Sequence, residues 1–239
     1  MGLSILSILA LAINVAAASD LSFPIKEIVQ AYQQQTGNEV RLTLGSSGNF
    51  FTQIQNGAPF DVFLSADIDY PKQLEKGGQA VPGSTFIYGI GSIVLWVPKS
   101  SPLKIETLGM QALLDPKVKK ISIANPEHAP YGRAAEAALK AAAVYDRVKS
   151  KLVFGENISQ AAQFVQSGAA DVGIIAHSLA SSEPMAGGRQ WQVPQNLYPR
   201  LEQGAVLLKH GGAEAKAFEL WLQSPASRKI FEKYGFKVE

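Results

Sequence analysis

Short apolar runs alternate along the chain with segments whose apolar residues recur at helical spacing. That is the pattern of an α/β protein with mainly parallel sheets. Residues 13–18 (INVAAA) read as a buried strand, and Ile25, Ile28, Val29 and Tyr32 then mark one face of a helix that Gly37 stops. Residues 40–44 predict the next strand; Phe50, Phe51 and Ile54 mark a helix ending at Gly57, and residues 61–64 a third strand. A second set of strands is predicted at 93–97, 120–124, 152–154 and 172–176, with helices at about 132–143 and 159–166. The tail from about 213 to 234 reads as two amphipathic helices parted near Ser224-Pro225, where Pro225 suits the first position of a helix. Two α/β sets, joined where Tyr88-Gly89-Ile90-Gly91 precedes a strand, predict two lobes with ligand between them.

One junction recurs four times: a buried strand runs into a short small-polar loop that opens a helix. The loops are Ser19-Asp20, Ser46-Ser47-Gly48-Asn49, residues 126–132 (PEHAPYG) and Glu156-Asn157-Ile158. Ligands of open α/β sheets bind beyond the carboxyl ends of strands, where helix starts present unpaired N–H groups and partial positive charge. Several such ends converging make an anion site without a cationic side chain. Each junction alone is as readily an ordinary helix cap. The two hydroxyls and the glycine of Ser46-Ser47-Gly48 would let backbone approach a ligand closely. Tyr131 has two readings, a phenol pointed into the cleft or a ring packed on its own helix.

Composition removes several rival classes. The chain has 239 residues, 46% of them hydrophobic, enough for one large core or two smaller ones. Its 22 Lys and Arg against 20 Asp and Glu leave a net charge of +2, so no nucleic-acid partner is expected. With no Cys there are no thiolate metal sites, cysteine nucleophiles or disulfides. His128, His177 and His210 are the only histidines, and none stands at metal-site spacing from another ligand type. No P-loop, Gly-x-Ser-x-Gly elbow or strand-to-helix Gly-x-Gly-x-x-Gly is present, and no acid, base and nucleophile set suggests an enzyme. Residues 1–12 (MGLSILSILALA) read as an apolar leader or truncated signal peptide; the alternative is that residues 3–18 form one buried strand with its lead-in.

The blocks AAASDL (16–21), GSSGNFFTQIQNGAPFDVFLSAD (45–67), NPEHAPYG (125–132) and IFEKYGF (230–236) together resemble the molybdate-binding proteins of bacterial ABC importers. The resemblance spans essentially the whole chain after the leader. It implies a type II periplasmic-binding-protein fold, two-lobed, each lobe a mainly parallel sheet flanked by helices. Residues 13–87 with 207–239 would form the first lobe and 88–206 the second. It further implies a non-enzymatic, periplasmic or membrane-associated receptor, expected to be a monomer. The receptor would hold molybdate or tungstate by neutral donors and hand it to a membrane permease. No cofactor is implied, and molybdenum enters only inside the oxyanion, with no protein atom bonded to it. Carried over by position, the donors are Ser19, Ser47, Tyr131 and the backbone of Ile158, with Asp20, Ser46 and Gly48 as backbone or supporting residues. Two features depart from the family pattern: Ala176 stands where one branch has a tyrosine, and Asp20 would set a carboxylate beside a dianion, so Asp20 is expected to turn outward. Receptors for sulfate or phosphate, and the effector-sensing part of a transcription regulator, are the alternatives.

Overall fold

The computed structural model describes residues 12–239, so the leader expected over residues 1–12 lies outside the described residues except for Ala12. β1 (Ile13–Ala18), α1 (Pro24–Thr36), β2 (Val40–Gly45), α2 (Ser47–Gln55), β3 (Val62–Ser65), α3 (Asp69–Lys76) and β4 (Phe86–Gly91) come first. Next are β5 (Ile93–Val97), α4 (Ile105–Leu108), β6 (Ile121–Ala124), α5 (Pro130–Ala141), α6 (Tyr145–Val148), β7 (Leu152–Gly155) and α7 (Ile158–Gln166). β8 (Val172–Ala176), α8 (His177–Ala180), β9 (Arg189–Gln192), β10 (Leu201–Leu207), α9 (Ala213–Leu222) and α10 (Pro225–Lys233) follow.

The strands form two five-stranded sheets, ordered β2-β1-β3-β10-β4 and β7-β6-β8-β5-β9. In the first, β1 pairs in parallel with β2 and β3, and β10 runs antiparallel to β3 and β4. In the second, β6 is parallel to β7 and β8 while β5 is antiparallel to β8 and β9. The antiparallel strands are those adjoining the two crossings between sheets. The first crossing is at Ser92, between β4 and β5, and the second lies between β9 and β10. The expected boundaries at 87/88 and 206/207 therefore cut through β4 and β10, both of which belong to the first sheet.

Side-chain alternation along β1 explains why that strand, apart from Asn14, is apolar on both faces. Val15 and Ala17 face a core shared with Ile25, Ile28 and Tyr32 of α1 and with Phe218, Leu222 and Phe231 of the C-terminal helices. Ala16 points the other way, onto Phe50 and Ile54 of α2 and Leu74 of α3. Tyr32 meets Phe218 edge-to-face at 5.1 Å, which seats α9 on the first sheet. Gly37 closes α1 in the left-handed conformation (φ 74°) and donates to the Gln33 carbonyl. Ser224 caps α10 by accepting from the Ser227 amide, with Pro225 at the helix start. Among the described residues, no helix is long and apolar enough to cross a membrane.

A cleft built from strand ends and helix starts

The carboxyl ends of β1, β2, β6 and β7 turn toward the same cleft between the sheets. From the first sheet, β1 delivers Ser19 and Asp20, and β2 delivers Ser46 just before α2 opens at Ser47. From the second, Tyr131 is the second residue of α5 and Ile158 the first of α7. Amides at such positions have no carbonyl partner inside their own helix, so three helix starts from two lobes present donors to one space. Ser19, Asp20, Ser46, Ser47, Tyr131 and Ile158 line that space together, and all six are buried. No lysine, arginine or histidine lines it. The cavity is small, about 10 Å³, room for about one water molecule, which leaves no space for a sugar or a peptide.

Ser47 is held by the backbone just after β3: its Oγ accepts from the Ala66 amide at 2.9 Å. Its own proton is therefore free to be given to something else. Ser19 Oγ donates to Asn157 Oδ1 at 3.1 Å and accepts from the Ser159 amide at 3.3 Å, so it bridges the lobes, and its proton must turn away from Asn157 to meet a ligand. Asn157 also caps α7 by accepting from the Gln160 amide. Ser46 and Gly48 reach across rather than inward. Ser46 Oγ donates to the His128 carbonyl at 2.7 Å and the Gly48 amide donates to the same oxygen at 2.9 Å. A Cβ on Gly48 would strike His128, so the glycine serves the approach of the two lobes. On the outer rim Arg133 of α5 pairs with Asp67 at 2.5 Å and donates to Tyr70 at 3.2 Å.

Asp20 does not turn outward. It is fully buried, and its Oδ2 accepts from the Tyr131 phenol at 2.9 Å and from Gln203 Nε2 at 2.8 Å. Gln203 Nε2 also donates to the Tyr131 oxygen at 2.8 Å, and the Tyr88 hydroxyl donates to Gln203 Oε1 at 2.7 Å. Ser178 of α8 holds the Asp20 carbonyl at 2.9 Å. The carboxylate is kept inside because two donors from distant parts of the chain, Tyr131 and Gln203, replace water, which is how a buried charge is tolerated. Oδ1 has no partner. Loss of hydration on burial pushes the Asp20 carboxyl up to about 6, with the Gln203 and Tyr131 hydrogen bonds partly offsetting it. Burial, with the nearby Asp20 charge, pushes the Tyr131 and Tyr88 phenols well above their usual range, so both stay neutral donors. Gly91, the last residue of β4, leaves room for this cluster: a Cβ there would collide with the Tyr131 hydroxyl and Gln203.

Sequence reasoning gave no site role to Ser159, Gln203, Tyr88 or Ser178. Asn157 stood in a junction read as an anion-site loop or an ordinary cap, and it caps α7, whereas nothing local marks Gln203. At the end of β8, Ala176 is buried and brings no hydroxyl to the cleft. A larger groove of about 350 Å³ lies outside, lined by Asp67, Arg133, Arg200 and Glu202. Its charges already pair with one another or with Glu239, so it offers less unmatched donor capacity than the small inner cavity.

Two lobes that close on a small cavity lined by neutral donors define a solute receptor. The chain belongs to the bacterial extracellular solute-binding proteins, whose family model matches residues 13–237. It is thus a non-catalytic component of solute uptake that works outside the cytoplasm and serves an ABC importer. The molybdate-binding protein ModA of Rhodobacter capsulatus is 42% identical over 226 residues, 94% of this chain and 87% of that one. ModA of Azotobacter vinelandii is 40% identical over 95% of this chain and 90% of its own. The solved periplasmic molybdate-binding protein of Azotobacter vinelandii superimposes with a TM-score of 0.87 at 32% identity, covering 95% of this chain and 99% of that one. The expected type II periplasmic-binding-protein fold is the one observed, although each sheet pairs half in parallel and half antiparallel where mainly parallel sheets were expected.

Proposed function

We propose that the cleft captures a tetrahedral oxyanion, molybdate or tungstate, and that the closed receptor delivers it to the permease of an ABC importer. The observation that carries this reading is the convergence of the α2, α5 and α7 starts, with Ser19 and Ser47, on one small cavity lined by no cation. Such donors match an anion whose charge is spread over four acceptors, and helix starts stabilise it by partial charge. The 42% and 40% identical relatives that carry the name molybdate-binding protein support the same ligand. Selection against sulfate then rests on cavity size, since charge and geometry are shared. Ser19, Ser47, Tyr131 and the Ile158 amide are the proposed contacts, and the receptor acts as a single chain in the periplasm, or outside the cell in association with the membrane. The inward Asp20 favours a second reading, a protonated oxyanion such as hydrogen phosphate, whose proton would need an acceptor.

Thermal unfolding of the dialysed protein with molybdate, tungstate, sulfate or phosphate at matched ionic strength tests the proposal. A ligand at about 100 times its dissociation constant stabilises the native state by roughly 2.7 kcal/mol. For a chain of this size that raises the midpoint by about 5–10 °C. A shift with molybdate and tungstate alone is the expected result. A shift with phosphate alone selects the second reading, and none with any of the four overturns oxyanion capture.

A further inference from the structure

The mechanism of neutral donors leaves one group unused: a fully buried carboxyl in the wall of the cavity itself. Asp20 has one oxygen committed to Tyr131 and Gln203 and one, Oδ1, with no partner. We propose that Asp20 takes up a proton when the oxyanion binds, so that the cleft holds an anion together with a proton and Asp20 decides which ligand charge it accepts. This inference rests on the oxyanion reading above and adds to it the stoichiometry of the ligand.

The charges around Asp20 give no other relief for a dianion beside it. Tyr131 from α5 and Tyr88 from β4 are neutral phenols, and β10 and α8 contribute Gln203 and Ser178. The charged neighbours on the same elements face elsewhere: Arg133 to Asp67, Glu202 to Arg200, and Glu156 to Asn49 and His128. His177 of α8 lies 3.1 Å from Ser181 and against Gly235. An ionised Asp20 and a dianion would therefore repel one another across a space closed to water, where screening is weakest.

A proton resolves this at one atom. Because Oδ2 is filled by two donors, the proton belongs on Oδ1, the buried oxygen without a partner in a residue that lines the cavity. The neutral acid also loosens the hold on the Tyr131 phenol, whose hydrogen can then turn to the ligand. The carboxyl is already poised at about 6, so a nearby anion needs only to raise it further. Asparagine at the same position copies the neutral acid: its oxygen can keep Tyr131 and Gln203 while its NH₂ stands where Oδ1–H would.

The test is calorimetric titration of molybdate into the whole protein at about pH 7.5, in buffers of different ionisation heat, repeated across pH. Wild type is expected to take up about one proton per anion and to lose about tenfold in affinity per pH unit above roughly pH 6.5. Asp20→Asn is expected to bind with no proton uptake and with affinity independent of pH. Wild-type binding without proton uptake overturns the inference and leaves oxyanion capture standing, as does a pH slope that survives in Asp20→Asn. Absence of binding by either chain overturns oxyanion capture, and this inference with it.

Discussion

Replacing Ser47 by alanine separates two jobs that one hydroxyl performs. Its oxygen accepts from the Ala66 amide at 2.9 Å, and the residue is only 1% exposed, so deletion leaves that buried N–H without a partner. An unsatisfied buried donor costs about 1–3 kcal/mol. At roughly 2–4 °C per kcal/mol for a chain of this length, the midpoint of the free protein falls by about 2–12 °C. The second job, under the proposed function, is donation of the Ser47 proton to the oxyanion, a hydrogen bond to a charged group worth about 1.5–3 kcal/mol. Its loss weakens binding by about 10- to 150-fold. Calorimetry at a temperature where the variant is fully folded reads the second effect without the first. A variant that melts earlier yet binds molybdate as tightly as wild type would refute the donor role and leave Ser47 a brace for β3 alone.

Three further outcomes are expected. Gly91→Ala places a methyl against Tyr131 and Gln203, and overpacking of this kind costs about 1–3 kcal/mol, read as a lower midpoint; an unchanged midpoint would mean the cluster is looser than described. Arg133→Gln removes a half-exposed pair between the lobes, so affinity should fall less than about tenfold and the difference from wild type should vanish in high salt. A difference that persists in 1 M salt would point to packing instead of charge. The folded-state carboxyl of Asp20 is raised from 3.8 to about 6, so its stabilising contribution is full below pH 3.8 and is lost as pH rises through about 6. The loss is on the order of 3 kcal/mol. Wild type minus Asp20→Asn stability, measured by urea unfolding between pH 4 and 7.5, should therefore decline with pH, and a flat difference would contradict a buried, ionisable Asp20.

Several strands, parallel and antiparallel alike, were legible because each is a short apolar run followed by turn residues. The runs at 93–97 and 172–176 coincide with β5 and β8, and those at 13–18 and 40–44 with β1 and all but the last residue of β2. The returning strands were not legible. β4 (FIYGIG) and β10 (LEQGAVL) carry glycines and, in β10, a glutamate and a glutamine, without clean alternation, and this is why the lobe boundaries fell inside them. α3 was hidden by Pro71 near its start and by its mostly polar composition. The helix starts could be placed from sequence because caps and glycines are local signals. Asp20 could not, because its partners Tyr131, Ser178 and Gln203 lie 111, 158 and 183 positions away. Local chemistry says that a carboxylate beside an anion should face water, and only the assembled fold supplies the donors that let it stay inside.

A cavity lined by hydroxyls and amides, in a protein of net charge +2, exerts its pull only at contact distance. Nothing steers an anion in from afar, so capture should run at an ordinary diffusive rate and depend weakly on ionic strength. Tight holding must then be expressed as slow escape. A receptor whose cargo leaves slowly cannot empty itself on the timescale of transport. The importer that receives the cargo has to pry the lobes apart, and the bonds across the rim, from Ser46 and Gly48 to His128 and from Arg133 to Asp67, are what it must work against.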